Sequence, residues 1–407
     1  MQEIKIHASI LQTIIACLKS IFEEQKVADK EVGFILKQNK NFGARDRSMI
    51  AESVYDIVRW KLKYSHQLGV YHPTYTKYTH LVLMSLLNRK YKIKNPEIFE
   101  VTEKEIQELE NVITLPISEN HITQSYPEAF YNFCLEHIGE QWHTIAVALN
   151  NKPTIYIRVN TLKTTSADFI DLLKKEAIDY EPTQLGNCIK ILSKNNLKNS
   201  IYYKQGLFEF QDIGSQTIGH FLMNAFQNIK QIHPITILDL CAGAGGKTLQ
   251  ISALLKNNGK IYATDYQASR VKNLALRAQQ AGCKNIEIID FKEAKKLKNI
   301  DCILIDAPCS GTGTFKRQAD LKYKINSEKV NEYSAIQRSL LQEYKNCLHK
   351  NGKIIYATCS ILPQENEQAI QFFLEQNTTF SIEKTQQLLP TTYDGDGFFM
   401  ACLKRTF

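Results

Sequence analysis

The strongest constraint on the fold is a regular alternation of short apolar runs and longer amphipathic segments that begins at Ile235. The runs have the length of buried strands, and the segments between them have the length and periodicity of helices. The predicted strands are 235–240, 260–264, 286–289, 301–305, 353–357 and 398–403, and the predicted helices are one that ends near 255 and the segments 268–281, 327–348 and 364–376. This alternation predicts a doubly wound α/β domain with a parallel sheet. Ligands of such sheets bind beyond the carboxyl ends of the strands, so residues that follow a strand are the candidates for function.

A glycine-rich turn follows the first of these strands and reads Asp239-Leu-Cys-Ala-Gly-Ala-Gly-Gly-Lys-Thr248. It is not a phosphate-binding loop of the Gly-Lys-Thr type, because Cys241 stands where that motif has its first glycine. It is not the dinucleotide fingerprint either, because Thr248 occupies the place of the third glycine. Glycines nevertheless let a ligand approach the backbone closely, and the helix that follows presents free N–H groups. The turn therefore predicts a nucleotide-like ligand.

Acidic residues end the next strands at Asp265, Asp290 and Asp306. An acidic side chain after the second strand can accept hydrogen bonds from both ribose hydroxyls, which fits adenosine and NAD equally. The predicted cofactor-binding residues are Cys241, Ala242, Gly243, Ala244, Gly245, Gly246, Lys247, Asp265, Arg270, Asp290 and Asp306.

Two cysteines lie just beyond strand ends, Cys309 in a Pro-Cys-Ser loop and Cys359 in a Thr-Cys-Ser loop. Both loops are polar and turn-forming, so these thiols are expected to face a cleft beside the glycine-rich turn. The other cysteines that follow no such pattern are expected to act as small buried apolar residues. They are Cys17, Cys134, Cys283, Cys302, Cys347 and Cys402.

One reaction that needs a thiol is the methylation of a pyrimidine at carbon 5. Carbon 5 becomes nucleophilic only after a thiolate has added to carbon 6. Asp306 is a candidate for the group that protonates or hydrogen-bonds ring nitrogen 3 as charge develops. Lys247 is a candidate for lowering a thiol pKa, although it could equally contact the cofactor or cap its helix.

Together these motifs resemble the Fmu/Sun (RsmB) family of RNA cytosine-5 methyltransferases over residues 239–404. The resemblance is carried by Cys241-Ala-Gly-Ala-Gly-Gly-Lys247, Asp306-Ala-Pro-Cys-Ser-Gly-Thr-Gly313 and Tyr356-Ala-Thr-Cys-Ser-Ile-Leu-Pro-Gln-Glu-Asn-Glu367. It implies a Rossmann-like, class I methyltransferase domain with S-adenosylmethionine as cofactor. It also implies that Cys359 is the nucleophile at carbon 6 and that Cys309 assists release of the product. This chain departs from the family pattern at Gly243 and Ala244 and in Arg317-Gln-Ala-Asp320.

The preceding residues resemble the bacterial rRNA branch of that family. Gly43-Ala-Arg-Asp-Arg47 precedes a helical pattern that resembles a NusB-type RNA-binding domain, and Arg158-Val-Asn-Thr-Leu162 resembles its RRM-like module. Asp46 and Arg47 could either cap a helix or contact nucleic acid. The expected organisation is an all-α domain at 1–125, a linker helix with a small α/β module at 126–212, and the catalytic domain at 213–407. The resemblance points to 16S rRNA as substrate.

The composition of the chain is consistent with these predictions. The chain has 50 Lys and Arg against 42 Asp and Glu, a net charge of +8 that favours a polyanionic partner without identifying it. Its ten cysteines are dispersed and form no Cys-x-x-Cys pair, so free thiols and no metal site are expected. With no signal peptide or membrane-spanning run recognised, a cytoplasmic protein without membrane association is predicted, as a monomer.

Three other functions are compatible with parts of the pattern. A tRNA cytosine-5 methyltransferase would differ only in its methyl acceptor. A non-catalytic RNA-binding or assembly protein could keep the sheet as a scaffold, but it would not require the two thiols. An NAD-dependent dehydrogenase would use Asp265 and leave the thiol pair unexplained.

Overall fold

The structure, a computed structural model, describes residues 2–71, 77–193, 197–227 and 233–406. The chain divides into two compact units, one comprising Met1–Asn151 with Phe315–Ser327 and the other comprising Lys152–Thr314 with Glu328–Phe407. Within the described ranges, no helix combines the length and the apolar character needed to cross a membrane.

The first unit is helical, because its apolar residues recur at helical spacing and pack into one core of side chains such as Ile14, Leu18, Ile57 and Leu83. Its helices are α1 (Ala8–Phe22), α2 (Ala28–Gln38), α3 (Ala44–Tyr71), α4 (Tyr78–Asn88), α5 (Glu103–Thr114), α6 (Asn120–Thr123), α7 (Glu128–Ile138) and α8 (Gln141–Leu149). Two short strands, β1 (Gln2–Ile4) and β2 (Tyr91–Ile93), pair in parallel.

Asp46 and Arg47 lie inside the first turns of α3 rather than ahead of it. The Arg47 guanidinium donates hydrogen bonds to the carbonyl oxygens of Leu36, Asn39 and Phe42, at 2.7, 3.0 and 3.0 Å. These bonds satisfy carbonyls at the end of α2. Arg47 is thus engaged within the helical unit, which favours the structural alternative for this residue.

The segment Phe315–Ser327 contains the departure from the family pattern at Arg317 to Asp320, and it folds as part of the helical unit. Asp320 is buried and accepts hydrogen bonds from Lys324 and from the backbone N–H of Ala28. Lys322 is fully buried, with its ammonium 4.1 Å from the centre of the Tyr126 ring. The unusual sequence here is therefore accommodated by a defined set of contacts.

The second unit begins with a small antiparallel sheet in the order β4-β5-β3-β6. Its elements are β3 (Ile155–Val159), α9 (Ser166–Lys175), β4 (Tyr180–Pro182), β5 (Cys188–Ile191), α10 (Ile201–Lys204) and β6 (Phe208–Phe210). The predicted strands and helix are present, and β4 and β6 complete the sheet. This βαββαβ arrangement confirms the small α/β module.

A larger sheet follows, whose strands alternate with helices as predicted. Its elements are α11 (Ile213–Asn224), β7 (Thr236–Asp239), α12 (Gly246–Leu254), β8 (Lys260–Ala263), α13 (Ala268–Val271), α14 (Leu274–Ala281), β9 (Ile286–Ile288), α15 (Phe291–Ala294), β10 (Ile300–Asp306), α16 (Ser327–Tyr344), β11 (Leu348–Thr358), α17 (Glu367–Glu375), β12 (Phe380–Leu388) and β13 (Phe398–Arg405). Among the described residues the sheet has seven strands in the order β12-β13-β11-β10-β7-β8-β9. The predicted Rossmann-like fold is confirmed.

The sheet differs from the prediction at one edge. Five strands are parallel, but β13 pairs antiparallel with both β11 and β12. The strand β12 was not predicted because most of its side chains are polar and exposed, so it lacks the apolar run that marks a buried strand. The predicted helix 268–281 is also interrupted, since residues 272 and 273 form a turn between α13 and α14.

Candidate active site

The glycine-rich turn lies between β7 and α12 and has a backbone that only glycine adopts easily. Gly243 and Gly245 have φ angles of 53° and 90°. A Cβ atom at Gly245 would lie 2.1 Å from Leu274 Cδ1, so the turn packs directly against α14. Helix α12 begins at Gly246, which leaves the N–H groups of its first turn available to a ligand.

Asp265 stands beyond the end of β8 and is held against this turn. One carboxylate oxygen accepts a hydrogen bond from the backbone N–H of Gly243 at 3.0 Å, and the other accepts one from Gln267 at 2.9 Å. A carboxylate has further acceptor sites on both oxygens, so it can still accept bonds from ribose hydroxyls.

Asp239, at the end of β7, is a buried carboxyl with incomplete hydrogen bonding. Its Oδ2 accepts a hydrogen bond from the Thr248 hydroxyl at 2.7 Å, whereas its Oδ1 is buried and has no partner in the part of the chain that the structure describes. Burial raises the pKa of Asp239 to about 7, and the negative charge of Asp306 adds to that shift. The Thr264 hydroxyl oxygen, at the end of β8, is also buried without a partner. Unpaired polar atoms at two strand ends, beside a glycine turn, fit a polar nucleoside ligand.

Lys247 and Asp306 form an ion pair with 2.6 Å between Nζ and Oδ2. Burial by itself would lower the pKa of Lys247, but the charge and hydrogen bond of Asp306 outweigh it, so the pKa is raised. Cys359 contributes in the same direction, which places the ammonium within the electrostatic reach of that sulfur. Lys247 is therefore a fixed positive charge beside the thiols and the carboxylate.

The sulfur atoms of Cys309 and Cys359 lie 3.3 Å apart. Cys309 follows β10 and Cys359 follows β11, and the two strands pair in parallel with Asp306 opposite Ala357. The hydrogen bond with Cys359 raises the pKa of Cys309 well above its usual range, and burial adds to the increase. Cys309 is thus the thiol that retains its proton, and it can donate that proton in a hydrogen bond to the Cys359 sulfur.

Two family models match this chain, and their descriptions agree. Residues 230–404 match the model described as 16S rRNA methyltransferase RsmB/F, and residues 126–198 match the ferredoxin-like domain of RsmF/B-like methyltransferases. The chain belongs to the RsmB/F methyltransferase family. Membership makes it an RNA methyltransferase that depends on S-adenosylmethionine.

Proteins named methyltransferase B and proteins named methyltransferase F are both similar to this chain. The ribosomal RNA small subunit methyltransferase B of Proteus mirabilis is 26% identical, and the aligned region covers 95% of this chain and 100% of the relative. The ribosomal RNA small subunit methyltransferase F of Shewanella loihica is 30% identical over 61% of this chain and 56% of the relative. The crystal structure of PH0851 has the same fold, with a TM-score of 0.79, 22% identity and coverage of 99% and 100% of the two chains.

Most of the predicted site residues lie around the glycine-rich turn, but two of them have exposed side chains. Asp290 is exposed and caps α15 by accepting a hydrogen bond from the Lys292 N–H at 2.8 Å. Arg270 is also exposed, and its charge acts on the pKa of Cys241 against the larger effect of burial. Arg277, which was not predicted, donates a hydrogen bond to the carbonyl of Ala244.

The sequence pattern does not mark several other residues of the site. Tyr266 directly follows Asp265, is 77% exposed, and packs its ring edge to face with Phe291. In the sequence, Asp239 only begins the glycine motif, whereas in the structure it is the last residue of β7, as Asp306 is the last residue of β10. The described residues contain no group of three or more His, Cys, Asp or Glu side chains arranged to hold a metal ion.

Proposed function

We propose that this protein transfers a methyl group from S-adenosylmethionine to carbon 5 of a cytosine in 16S rRNA through a covalent bond between Cys359 and carbon 6. The observation that carries the proposal is the pair of sulfur atoms 3.3 Å apart, beside the Lys247–Asp306 ion pair at the carboxyl ends of adjacent strands. When bound at the glycine turn, the cofactor supplies a methyl group activated on a sulfonium ion.

The first step is addition of the Cys359 thiolate to carbon 6. The sulfur–carbon bond forms as the electron pair of the carbon 5–carbon 6 double bond moves into the ring, which makes carbon 5 nucleophilic. Cys309 retains its proton and stabilises the Cys359 thiolate by a hydrogen bond. The Lys247–Asp306 pair holds a proton that it can share with ring nitrogen 3 as negative charge develops there.

The second step releases the product after carbon 5 has accepted the methyl group. A base removes the proton from carbon 5, the carbon 5–carbon 6 double bond forms again, and the bonding electrons return to Cys359 as a thiolate. Cys309 lies 3.3 Å from the sulfur that must leave. Because Cys309 retains its proton, its thiol can donate a hydrogen bond to that sulfur and stabilise the departing Cys359 thiolate.

Methyl transfer to purified 16S rRNA tests the reaction. We expect label from S-adenosylmethionine to appear at carbon 5 of cytosine, Cys359→Ala to abolish it, and Cys309→Ala to accumulate a covalent protein–RNA adduct that migrates slowly in a denaturing gel. Cys283→Ala, which removes a half-buried thiol from the same unit, is the matched control and should retain activity. Full activity of Cys359→Ala would contradict the covalent mechanism.

The identity of the substrate and the roles of the domains are proposed independently of the reaction mechanism. The relatives named above carry ribosomal RNA small subunit methyltransferase in their names, and this supports 16S rRNA as the acceptor. We assign RNA binding to the helical residues 1–125 and to the module within 126–212, and catalysis to 213–407. Methylation of tRNA in preference to 16S rRNA, at carbon 5 and through Cys359, would retain the mechanism and overturn the substrate.

A further inference from the structure

Glu365 and Asn366 are fully buried polar residues that the proposed chemistry leaves without a task. They are neighbours in the chain, in the short turn between β11 and α17. Burial of a carboxyl and an amide lowers stability unless hydrogen bonds compensate for lost hydration. The partners of these two side chains are therefore informative.

Glu365 binds the loop of Cys309. One of its oxygens accepts a hydrogen bond from the Ser310 N–H at 2.7 Å, and the other accepts one from the Ser310 hydroxyl. Gln337 donates to the same carboxylate at 3.3 Å and to the carbonyl of Pro308 at 2.9 Å. The residues on both sides of Cys309 are thus tied to Glu365, one directly and one through Gln337.

Asn366 binds the loop of Cys359. Its Oδ1 accepts a hydrogen bond from the Thr358 hydroxyl, and its Nδ2 donates to the carbonyl of Ser360 at 3.0 Å. These are the residues on both sides of Cys359. The amide therefore spans the nucleophile's loop in the way that Glu365 and Gln337 span the loop of Cys309.

The two loops also contact each other through buried hydroxyls. Ser310 and Ser360 Oγ atoms lie 3.3 Å apart, and the Thr312 hydroxyl lies 3.0 Å from that of Ser360. The Gly313 N–H donates to the carbonyl of Cys359 at 2.9 Å. The serine that follows each cysteine is thus fixed in the interior, which constrains the direction of the neighbouring thiol.

We propose that Glu365 and Asn366 are positioning residues with separate tasks: Glu365 holds Cys309 in place for release of the product, and Asn366 holds Cys359 in place for attack on carbon 6. The inference rests on the proposed function, because it assigns a step of that reaction to each loop.

The two tasks predict opposite defects in the same assay. Glu365→Ala should slow turnover about tenfold or more and accumulate the covalent adduct, as Cys309→Ala does, because a buried loop loses two hydrogen bonds. Asn366→Ala should slow turnover to a similar extent but reduce the amount of adduct, as Cys359→Ala does. A general loss of packing would change both variants in the same direction.

Gln364→Ala is the matched control. Gln364 is the preceding residue and is also largely buried, but its side-chain Oε1 has no hydrogen-bond partner. We expect it to leave the ratio of adduct to product unchanged. Glu365→Gln keeps an acceptor for the Ser310 N–H, and Asn366→Ser introduces a shorter polar side chain that can still form a hydrogen bond, so these milder variants should show weaker forms of the same opposite defects if the alanine variants fail to fold.

The possible results distinguish a failure of this inference from a failure of the proposed function. If the unmodified protein does not methylate carbon 5, the proposed function fails. If the unmodified protein and Cys309→Ala behave as expected, but the variants of Glu365 and Asn366 show the same change in adduct or no change, the division of tasks is wrong. Affinity for S-adenosylmethionine, measured on each folded variant, should stay close to that of Gln364→Ala.

Discussion

The two sides of the active site differ in how the polar groups nearest the reacting parts are held. On the thiol side, the Ser310 and Ser360 hydroxyls, the Glu365 carboxylate and the Asn366 amide are all hydrogen-bonded within the protein. On the cofactor side, Asp239 Oδ1 and the Thr264 hydroxyl have no hydrogen-bond partner among the described residues. The loops that carry the thiols are therefore fixed by hydrogen bonds within the protein, whereas these two polar atoms beside the glycine turn are not.

The largest effect should come from Gly245→Val, which acts on the cofactor side alone. The residue has φ of 90°, and a Cβ atom would lie 2.1 Å from Leu274 Cδ1. Left-handed backbone and overpacking together cost about 4 kcal/mol, so we expect calorimetry to detect no binding of S-adenosylmethionine. Gly33→Ala, in α2 of the helical unit, is the control, because no described atom lies within 4 Å of its Cβ position. Normal binding by Gly245→Val would show that the turn is not the cofactor site.

The buried carboxyl of Asp239 should make the stability of the protein depend on pH. Burial raises its pKa from 3.8 to about 7, so the folded protein binds this proton more tightly than the unfolded chain. The stabilisation by Asp239 is therefore complete below pH 3.8 and is lost as the pH rises to about 7.

Urea unfolding of the unmodified protein and Asp239→Asn across this range measures the effect. The stability of the unmodified protein relative to the variant should fall by on the order of 3 kcal/mol between the two limits. A difference that does not vary with pH would mean that Asp239 is ionised in the folded protein throughout.

Asp265→Ala should weaken cofactor binding without disturbing the thiols. Loss of an ionised acceptor for ribose hydroxyls is worth about 2 kcal/mol, or roughly a thirtyfold decrease in affinity. Glu287→Ala, which removes an exposed carboxylate paired with Lys260, is the control and should bind normally. The rate of covalent adduct formation at saturating cofactor should be unchanged in Asp265→Ala, and a slower rate would link the two sides.

The smallest effect should come from Thr312→Val on the thiol side. Its hydroxyl accepts a hydrogen bond from the Ile361 N–H at 3.1 Å, and valine would leave that donor unpaired. We expect a loss of about 1 kcal/mol in unfolding free energy with cofactor affinity unchanged. Thr217→Val provides the comparison, because that hydroxyl donates a hydrogen bond to the carbonyl of Ile213 within its own helix. Equal losses of unfolding free energy in the two variants would mean that the bond between Thr312 and Ile361 stabilises the protein no more than a bond within one helix.

The parts of the fold that could be predicted are those with a periodic apolar pattern. The buried strands β7, β8 and β10 begin and end within one residue of their predicted bounds, because each is a run of apolar side chains between polar turns. The strand β11 begins at Leu348, five residues before its predicted start, where the end of a helix was predicted. The strand β12 has mostly exposed polar side chains, so its place at the sheet edge depends on pairing with β13. Pairing between segments distant in the chain leaves no local pattern.

The same distinction applies to the site. By itself the sequence determined that Cys309 and Cys359 follow buried strands and that glycines form the turn after β7, because strand ends and turns have local signatures. Only the tertiary structure decided that the sulfur atoms lie 3.3 Å apart, that the pKa of Cys309 is raised, and that Glu365 and Asn366 are hydrogen-bonded to the two loops. The two cysteines are 50 residues apart, and they meet because β10 and β11 pair in a register that places Asp306 opposite Ala357. That register depends on the packing of the whole sheet.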